Sequence, residues 1–203
     1  MAASCLSGFL LALGAQELSV HSRDQELHVT APRLHFLSGA SLDRLKNGAA
    51  VPFDFQLTMY ADTNTSLYDR ALERFVISYD LWEEKYSVTK LWGAGSMRGS
   101  DVRRARERRS ISHLTAEAAE SWCIDNIAVS TSGLDPGRQL WVRLEVRSTD
   151  PRDGVPLVGE SGMSITRLID LFSHPPRSGQ QRWTLDKGPV RLADVNRPAG
   201  GGT

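Results

Sequence analysis

Serine and histidine are the residues of this chain that could support nucleophilic catalysis. The stretch Gly159–Met163, GESGM, approaches the nucleophile elbow G-x-S-x-G, but a methionine occupies the place of the second glycine. Ser161 or Ser164 could attack a substrate with His113 or His174 as the base. A cryptic serine hydrolase is therefore an alternative function. Nothing in the spacing brings a histidine next to either serine, so we assign no catalytic residue and interpret both serines as helix caps.

Two histidines could contribute to a metal site. ELSVHSRDQELHV predicts a hairpin with Asp24 and Gln25 in its turn, which places His21 opposite His28 on one face. Two imidazoles make half a metal site, and no further ligand is evidently placed to complete it. Cys123 has no C-x-x-C partner and is predicted to be a small buried residue. We assign no metal ligand and no cofactor.

Three glycines follow a predicted strand much as a dinucleotide-binding fingerprint would. Gly93, Gly95 and Gly99 have nearly the required spacing, but Arg98 occupies the place of the third glycine. The fingerprint also needs a helix inside a parallel unit, and the preceding segments predict an antiparallel arrangement. We therefore predict a mobile glycine loop without nucleotide binding.

The only concentrated charge is a run of five arginines: Arg103, Arg104, Arg106, Arg108 and Arg109. The whole chain has 24 basic and 24 acidic residues, and this balance argues against nucleic-acid binding. The run contains no aromatic residue, which favours anionic lipid headgroups or an acidic partner over single-stranded nucleic acid. A solvated loop is the simplest interpretation. A peripheral membrane module that uses this loop is a second alternative function, and it requires exposed tryptophans on the same face.

The first fifteen residues predict export. From Cys5 to Ala15 the chain reads CLSGFLLALGA, which has the length of a signal-peptide core and is too short to span a bilayer. We expect residues 1–15 to form a signal peptide or apolar leader with cleavage near Ala15, and a periplasmic or otherwise extracytoplasmic location. The opposing interpretation is a buried N-terminal strand or helix.

Alternating apolar and polar residues predict most of the strands. In VPFDFQLTMYA, residues 51–61, one parity is apolar and the other polar, and RFVISYDLW and KYSVTKLW continue the pattern after short polar turns. Short connections require antiparallel neighbours, so the three strands form a meander. RQLWVRLEVRS predicts a further strand whose wet face carries Arg143, Glu145 and Arg147. Ile124–Ser130 and 182–185 predict two more.

Short helices are predicted between these strands. SLDRLKNG reads as a helix from Ser41 to Gly48 with Ser41 as its N-cap and Asn-Gly as its end. LTAEAAESWC predicts a second helix with Thr115 as its cap, and SITRLIDLF, 164–172, an amphipathic third.

Together these elements predict a mainly β protein. We expect an antiparallel β-sandwich, immunoglobulin-like in outline, with two or three short helices. The sandwich forms a single domain over 16–187 that contains a flexible arginine-rich insertion at 93–112. The Pro/Gly-rich residues 188–203 are expected to be a disordered tail.

The order of segments resembles the bacterial domain of unknown function 4390. The resemblance rests on ELHVTAPRLHF, on LDRLKNG leading into VPFDFQLTMY, on RFVISYDLWEEKYSVTKL and on GLDPGRQLWVRLEV. It covers Leu18 to Leu185, and the stretch from Arg98 to Arg109 departs from the family pattern. The resemblance implies an exported or membrane-associated β-rich domain and brings no established activity, cofactor or catalytic residue.

These observations favour an exported, non-catalytic accessory or binding domain whose partner is a protein or an envelope component. The large aromatic side chains offer either a binding platform or caps for the ends of the sandwich core. The chain has five tryptophans: Trp82, Trp92, Trp122, Trp141 and Trp183.

Overall fold

The computed structural model describes residues 17–91, 95–96, 109–149, 172–175 and 179–195. Several predictions fall wholly or partly outside these residues: the leader 1–15, the serines Ser161 and Ser164, most of the third helix, Gly93 and Gly99 of the glycine loop, and residues 196–203 of the expected tail. The described part of the arginine run is Arg109 alone.

The described residues are mainly β, with ten strands and three helices. The strands are β1 Ser19–Arg23, β2 Glu26–Thr30, β3 Val51–Ala61, β4 Leu67–Asp80, β5 Lys85–Lys90, β6 Gly95–Ser96, β7 Arg109–Leu114, β8 Ala128–Ser130, β9 Gln139–Ser148 and β10 Arg182–Arg191; the helices are α1 Gly39–Lys46, α2 Ala116–Asp125 and α3 Leu192–Val195.

The strands form two antiparallel sheets. The large sheet has the order β10-β9-β3-β4-β5-β7, with β6 paired to β4, and the small sheet has the order β1-β2-β8. The antiparallel sandwich is therefore confirmed, as is the meander, because β3, β4 and β5 are successive neighbours in the large sheet.

One apolar core joins the two sheets and the helices. Phe36, from the segment between β2 and α1, packs its ring edge-on against Phe53 with 4.9 Å between ring centroids. Phe55 and Phe75 continue the chain of rings at 5.0 Å, and Phe75 reaches Trp122 of α2 at 5.9 Å. Burying each such side chain contributes about 1.5 to 3 kcal/mol, so this face of the large sheet supplies much of the driving force for folding.

The β1–β2 hairpin has the predicted register. Asp24 and Gln25 both have positive φ, 53° and 63°, as a type I′ turn requires. Arg23 faces Glu26 and His21 faces His28. The local turn chemistry was sufficient to fix this pairing.

Helix α1 begins earlier than predicted. Its N-cap is Ser38, and Ser41 lies inside the helix, where its hydroxyl donates to Oε1 of Gln181 at 2.6 Å. The prediction that Ser41 is the cap was wrong, because its side chain forms a hydrogen bond with a residue distant in sequence instead of with the helix. The predicted end is confirmed, since Asn47 is the C-cap and Gly48 has φ of 80°.

Helix α2 begins as predicted and ends later. Thr115 Oγ1 accepts a hydrogen bond from the Ala118 amide at 3.3 Å, which confirms the cap. The helix continues to Asp125, so the strand predicted from Ile124 starts only at Ala128. Ile124 is buried from the helix, and its apolar character alone did not distinguish a helix end from a strand start.

The predicted solvent-facing side of β9 is exposed at Arg143 but buried at Glu145 and Arg147, and the polar residues of β3 are buried too. Every residue of β3 from Val51 to Met59 is buried. Strand β3 lies between β4 and β9 in the sheet. Each of its polar residues pairs with a charged residue of β9, and Asp54 and Thr58 also pair with arginines of β4. Alternation in one strand predicts which residues share a face but not whether water reaches it.

Ordered structure extends past two predicted boundaries. Strand β10 pairs with β9 as far as Arg191, and α3 follows it to Val195, so residues 188–195 are not the disordered tail expected from their composition. Strand β7 likewise includes 109–112, the end of the predicted flexible insertion, because it pairs with β5. No helix among the described residues is long and apolar enough to cross a membrane.

Candidate functional site

A tight turn between β4 and β5 presents an exposed tryptophan. The Trp82 side chain is 96% exposed and Leu81 is 55% exposed. The Asp80 carboxylate accepts hydrogen bonds from the amides of Trp82 at 2.8 Å and Glu83 at 3.1 Å. The bonds from Glu83 and then Trp82 lower the pKa of Asp80, so the turn is fixed with its indole in water.

A bulge in β7 brings a serine and a histidine beside this turn. Tyr86 faces Leu114 and Val88 faces Ile111, which leaves one extra residue on β7, and His113 has φ of 64°. Both are features that re-aim side chains. We refer to Asp80–Glu84 together with Ser112 and His113 as the β4–β5 corner.

The corner contains a serine, a histidine and a carboxylate in line. Ser112 Oγ lies 3.0 Å from His113 Nδ1, and His113 Nε2 lies 3.0 Å from Glu83 Oε2. This is the arrangement of a nucleophile, a base and an orienting group. The His113 and Glu83 side chains are 70% and 55% exposed, however. The corner thus lacks the water-excluded setting that strengthens such groups.

The two histidines considered as bases lie far apart. His113 is on β7, whereas the carbonyl of His174 accepts a hydrogen bond from Arg147 of β9 at 2.9 Å. Strands β9 and β7 are separated by four strand spacings in the sheet, about 19 Å. Sequence reasoning named His113 but missed Ser112, whose only signal was adjacency to the histidine.

The described arginine of the run lies away from the exposed tryptophan. Arg109 pairs with Lys90 at one end of the β5–β7 ladder, and the Trp82 turn follows Asp80 at the other end. The four residue-to-residue steps from Arg109 to His113 span about 13 Å of strand.

His21 and His28 share a face with stacked rings, 5.6 Å between centroids. Glu26 Oε2 lies 3.7 Å from His28 Nε2. Within the described ranges no group of three or more potential ligands is placed to hold a metal ion. Cys123 is buried as predicted, and burial raises the pKa of its thiol well above the ordinary value, so the thiol is unsuited to nucleophilic attack.

The most unusual feature is a largely buried charged surface on the large sheet, on the face opposite the apolar core. We call it the outer-face cluster. Alternate residues of β3, β4, β9 and β10, together with the residue that follows β9, supply its members: Asp54, Gln56, Thr58, Arg70, Arg74, Glu145, Arg147, Thr149 and Arg182.

The centre of the cluster is a bidentate ion pair. Arg74 Nε and Nη2 donate to the two carboxylate oxygens of Asp54 at 2.5 and 2.6 Å, and Thr149 Oγ1 donates to Asp54 at 2.8 Å. Asp54 is 0% exposed and Arg74 is 3% exposed. Removing two charges from water is costly, so the pair depends on these bonds being made together.

A second group of charges lies beside this pair. Glu145 accepts hydrogen bonds from Arg147 Nε at 2.6 Å and from Arg182 Nη2 at 2.9 Å. The Arg147 guanidinium lies 4.9 Å from the centroid of the Phe172 ring. Arginine suits such positions because its flat group both stacks and forms paired hydrogen bonds.

Three buried atoms of the cluster have no hydrogen-bond partner among the described residues: Arg74 Nη1, Arg70 Nε and Gln56 Oε1. Gln56 is otherwise held, since its Nε2 donates to Thr58 Oγ1 at 3.0 Å. Buried polar atoms are nearly always bonded, so those without partners mark places where a ligand or water belongs. Sequence reasoning missed this cluster because it assigned the face to solvent.

Comparison with protein-family models, with curated proteins and with solved structures finds no match. The resemblance to the domain of unknown function 4390 therefore stays a prediction.

Proposed function

We propose that this chain is an exported, non-catalytic accessory domain that binds a protein of the cell envelope through the β4–β5 corner. The observation that carries the proposal is the 96% exposed Trp82 in a fixed turn. Tryptophan is among the residues that most often dominate the energy of protein interfaces.

The turn is prepared for binding before a partner arrives. Because Asp80 already bonds to the amides of Trp82 and Glu83, little backbone entropy is lost on association. Leu81, more than half exposed, adds a second apolar contact beside the indole.

The charges around Trp82 favour a protein partner over a membrane. Asp80, Glu83 and Glu84 are exposed carboxylates in the same turn, and they repel anionic headgroups. A partner with an apolar pocket and a basic rim complements this surface. A peripheral membrane module would need the arginine run beside the tryptophan, and Arg109 lies at the other end of β7.

Capture from a native envelope fraction tests the proposal. Full-length protein, Trp82→Ala and Leu67→Ala are compared, since Leu67 is another exposed large apolar residue, 51% exposed, at the opposite end of β4. We expect one protein to be retained by the wild type and by Leu67→Ala, and its capture to fall by about tenfold or more with Trp82→Ala. Binding of the purified protein is then measured with the same three variants.

Equal capture by all three variants contradicts the proposed surface. Export is tested separately by the mass of the protein purified from its native source, which we expect to begin near Gln16. A cytoplasmic protein that retains residues 1–15 contradicts export.

Serine hydrolysis is a second candidate, supported by the line from Ser112 through His113 to Glu83. A fluorophosphonate probe forms a bond to an activated serine oxygen and releases fluoride. Labelling of Ser112 that is lost in His113→Asn and kept in Ser110→Ala favours this function. No labelling excludes it and leaves the binding proposal intact.

A further inference from the structure

The three residues whose buried atoms lack partners form one row on the outer face of the large sheet. Arg70 and Arg74 are on the same face of β4, two side chains apart, with Leu72 between them. Gln56 of β3 is the direct partner of Leu72. The register thus places the glutamine beside the midpoint between the two arginines.

Both Gln56 and Arg74 are more than nine-tenths buried, at 9% and 3% exposed. Arg74 uses Nε and Nη2 for Asp54, which leaves Nη1 on its other edge. Arg70 contributes its Nε–H and Gln56 its Oε1. The row therefore offers at least two charged donors and one acceptor.

The charge balance of the cluster is positive. Arg70, Arg74, Arg147 and Arg182 carry four positive charges, and Asp54 and Glu145 carry two negative charges. The neighbouring pair of Arg143 and Asp186, 2.6 Å apart, is neutral as a whole. An anion is the complement of this surplus, and arginine forks match the oxygen geometry of phosphate.

We propose that the outer-face cluster binds a small oxyanion that still carries one hydroxyl, as hydrogen phosphate does and as a phosphate monoester does in its monoanionic form. Its unprotonated oxygens accept from Arg74 Nη1 and Arg70 Nε, and its O–H donates to Gln56 Oε1. Such a ligand carries an acceptor for each of the two arginines and a donor for the glutamine. Sulfate has no proton at neutral pH, so it would face Gln56 Oε1 with a lone pair.

Binding of inorganic phosphate, glycerol phosphate and sulfate to the full-length wild-type protein at neutral pH tests the proposal by calorimetry. We expect saturable phosphate binding and about tenfold weaker sulfate binding, the effect of one lost hydrogen bond to an ion. Tighter binding of glycerol phosphate than of phosphate identifies a monoester as the ligand; the reverse order identifies free phosphate.

Two variants locate the site. Arg70→Gln leaves the Arg74–Asp54 pair intact and should weaken phosphate binding by about tenfold or more. Gln56→Leu should remove the preference for phosphate over sulfate. Arg143→Gln, on the same face but paired with exposed Asp186, is the control and should bind phosphate like the wild type.

Absence of saturable phosphate binding overturns the proposal and identifies the three atoms as sites for buried water. Equal phosphate affinity in Arg70→Gln and the wild type overturns the location, and equal affinity for sulfate and phosphate overturns the role of Gln56. If Arg70→Gln does not fold, the wild-type comparison of phosphate with sulfate still decides the outcome. The proposal is independent of partner binding at the β4–β5 corner, where Trp82→Ala should leave phosphate affinity unchanged.

Discussion

The two faces of strand β3 are equally buried but are held by different forces. One face carries Phe53, Phe55 and Leu57, whose contacts are non-directional and tolerate small shifts. The other carries Asp54 and Gln56, whose bonds require particular partners at particular distances. The comparison shows that depth of burial alone says little about energy. Apolar contacts on the first face stabilise the fold in proportion to the area that they bury. The ion pairs of the second face contribute little net free energy when complete, but losing one partner of a pair destabilises the fold strongly.

The apolar face gives the first prediction. Phe55→Ala should reduce the free energy of unfolding by about 3 to 5 kcal/mol, because it removes a fully buried ring and leaves a cavity. Chemical denaturation of the purified variant measures the change. A loss below about 1 kcal/mol would mean that this face does not supply the driving force assigned to it.

The polar face should respond differently to single and double changes. Arg74→Met leaves the Asp54 carboxylate buried without its partner and should cost about 3 to 5 kcal/mol. The double variant Asp54→Leu, Arg74→Met removes both charges and should recover most of that loss. Denaturation of Arg74→Met, Asp54→Leu and the double variant measures the coupling. If the two single losses simply add, the ion pair is not the unit that holds this face.

Glu73 is a charged residue on the otherwise apolar face. Its effect on the free energy of unfolding should depend on pH. It pairs with Phe55 in the sheet and lies 3.0 Å from Lys90 Nζ, yet burial raises its pKa above the ordinary value of 4.5 despite the lysine. The folded state therefore holds this proton more tightly than the unfolded state. The stability that Glu73 contributes is greatest below pH 4.5 and decreases as pH rises through its folded pKa.

A comparison of the wild type with Glu73→Gln isolates this effect, because glutamine does not titrate. The wild type should lose stability relative to the variant as pH rises from 4.5. Denaturation at a series of pH values measures the difference. A constant difference across that range would show that burial does not penalise the Glu73 charge.

The smallest effect is expected at the exposed edge of the polar face. Arg143 and Asp186 are 2.6 Å apart, but their side chains are 44% and 60% exposed. Arg143→Ala should change the free energy of unfolding by less than about 1 kcal/mol. A loss as large as that of Arg74→Met would show that geometry rather than burial decides the value of these pairs.

Local patterns predicted the elements better than their surroundings. The β1–β2 turn, the Thr115 cap and the parity of β3 depend on residues close together in sequence, and the structure confirms all three. The cap of α1 was wrong because Gln181, far along the chain, bonds to Ser41. The line from Ser112 through His113 to Glu83 depends on a bulge that no alternation pattern reveals.

The sequence by itself determined that the protein is an antiparallel β-sandwich, since apolar alternation and short turns leave few other ways to bury one side of each strand. Only the tertiary structure decided that Asp54 and Arg74 pair away from water and that the Trp82 side chain is exposed to solvent. The physical reason is that strand parity is a local property, whereas the partner and the exposure of a side chain depend on which distant strand lies beside it.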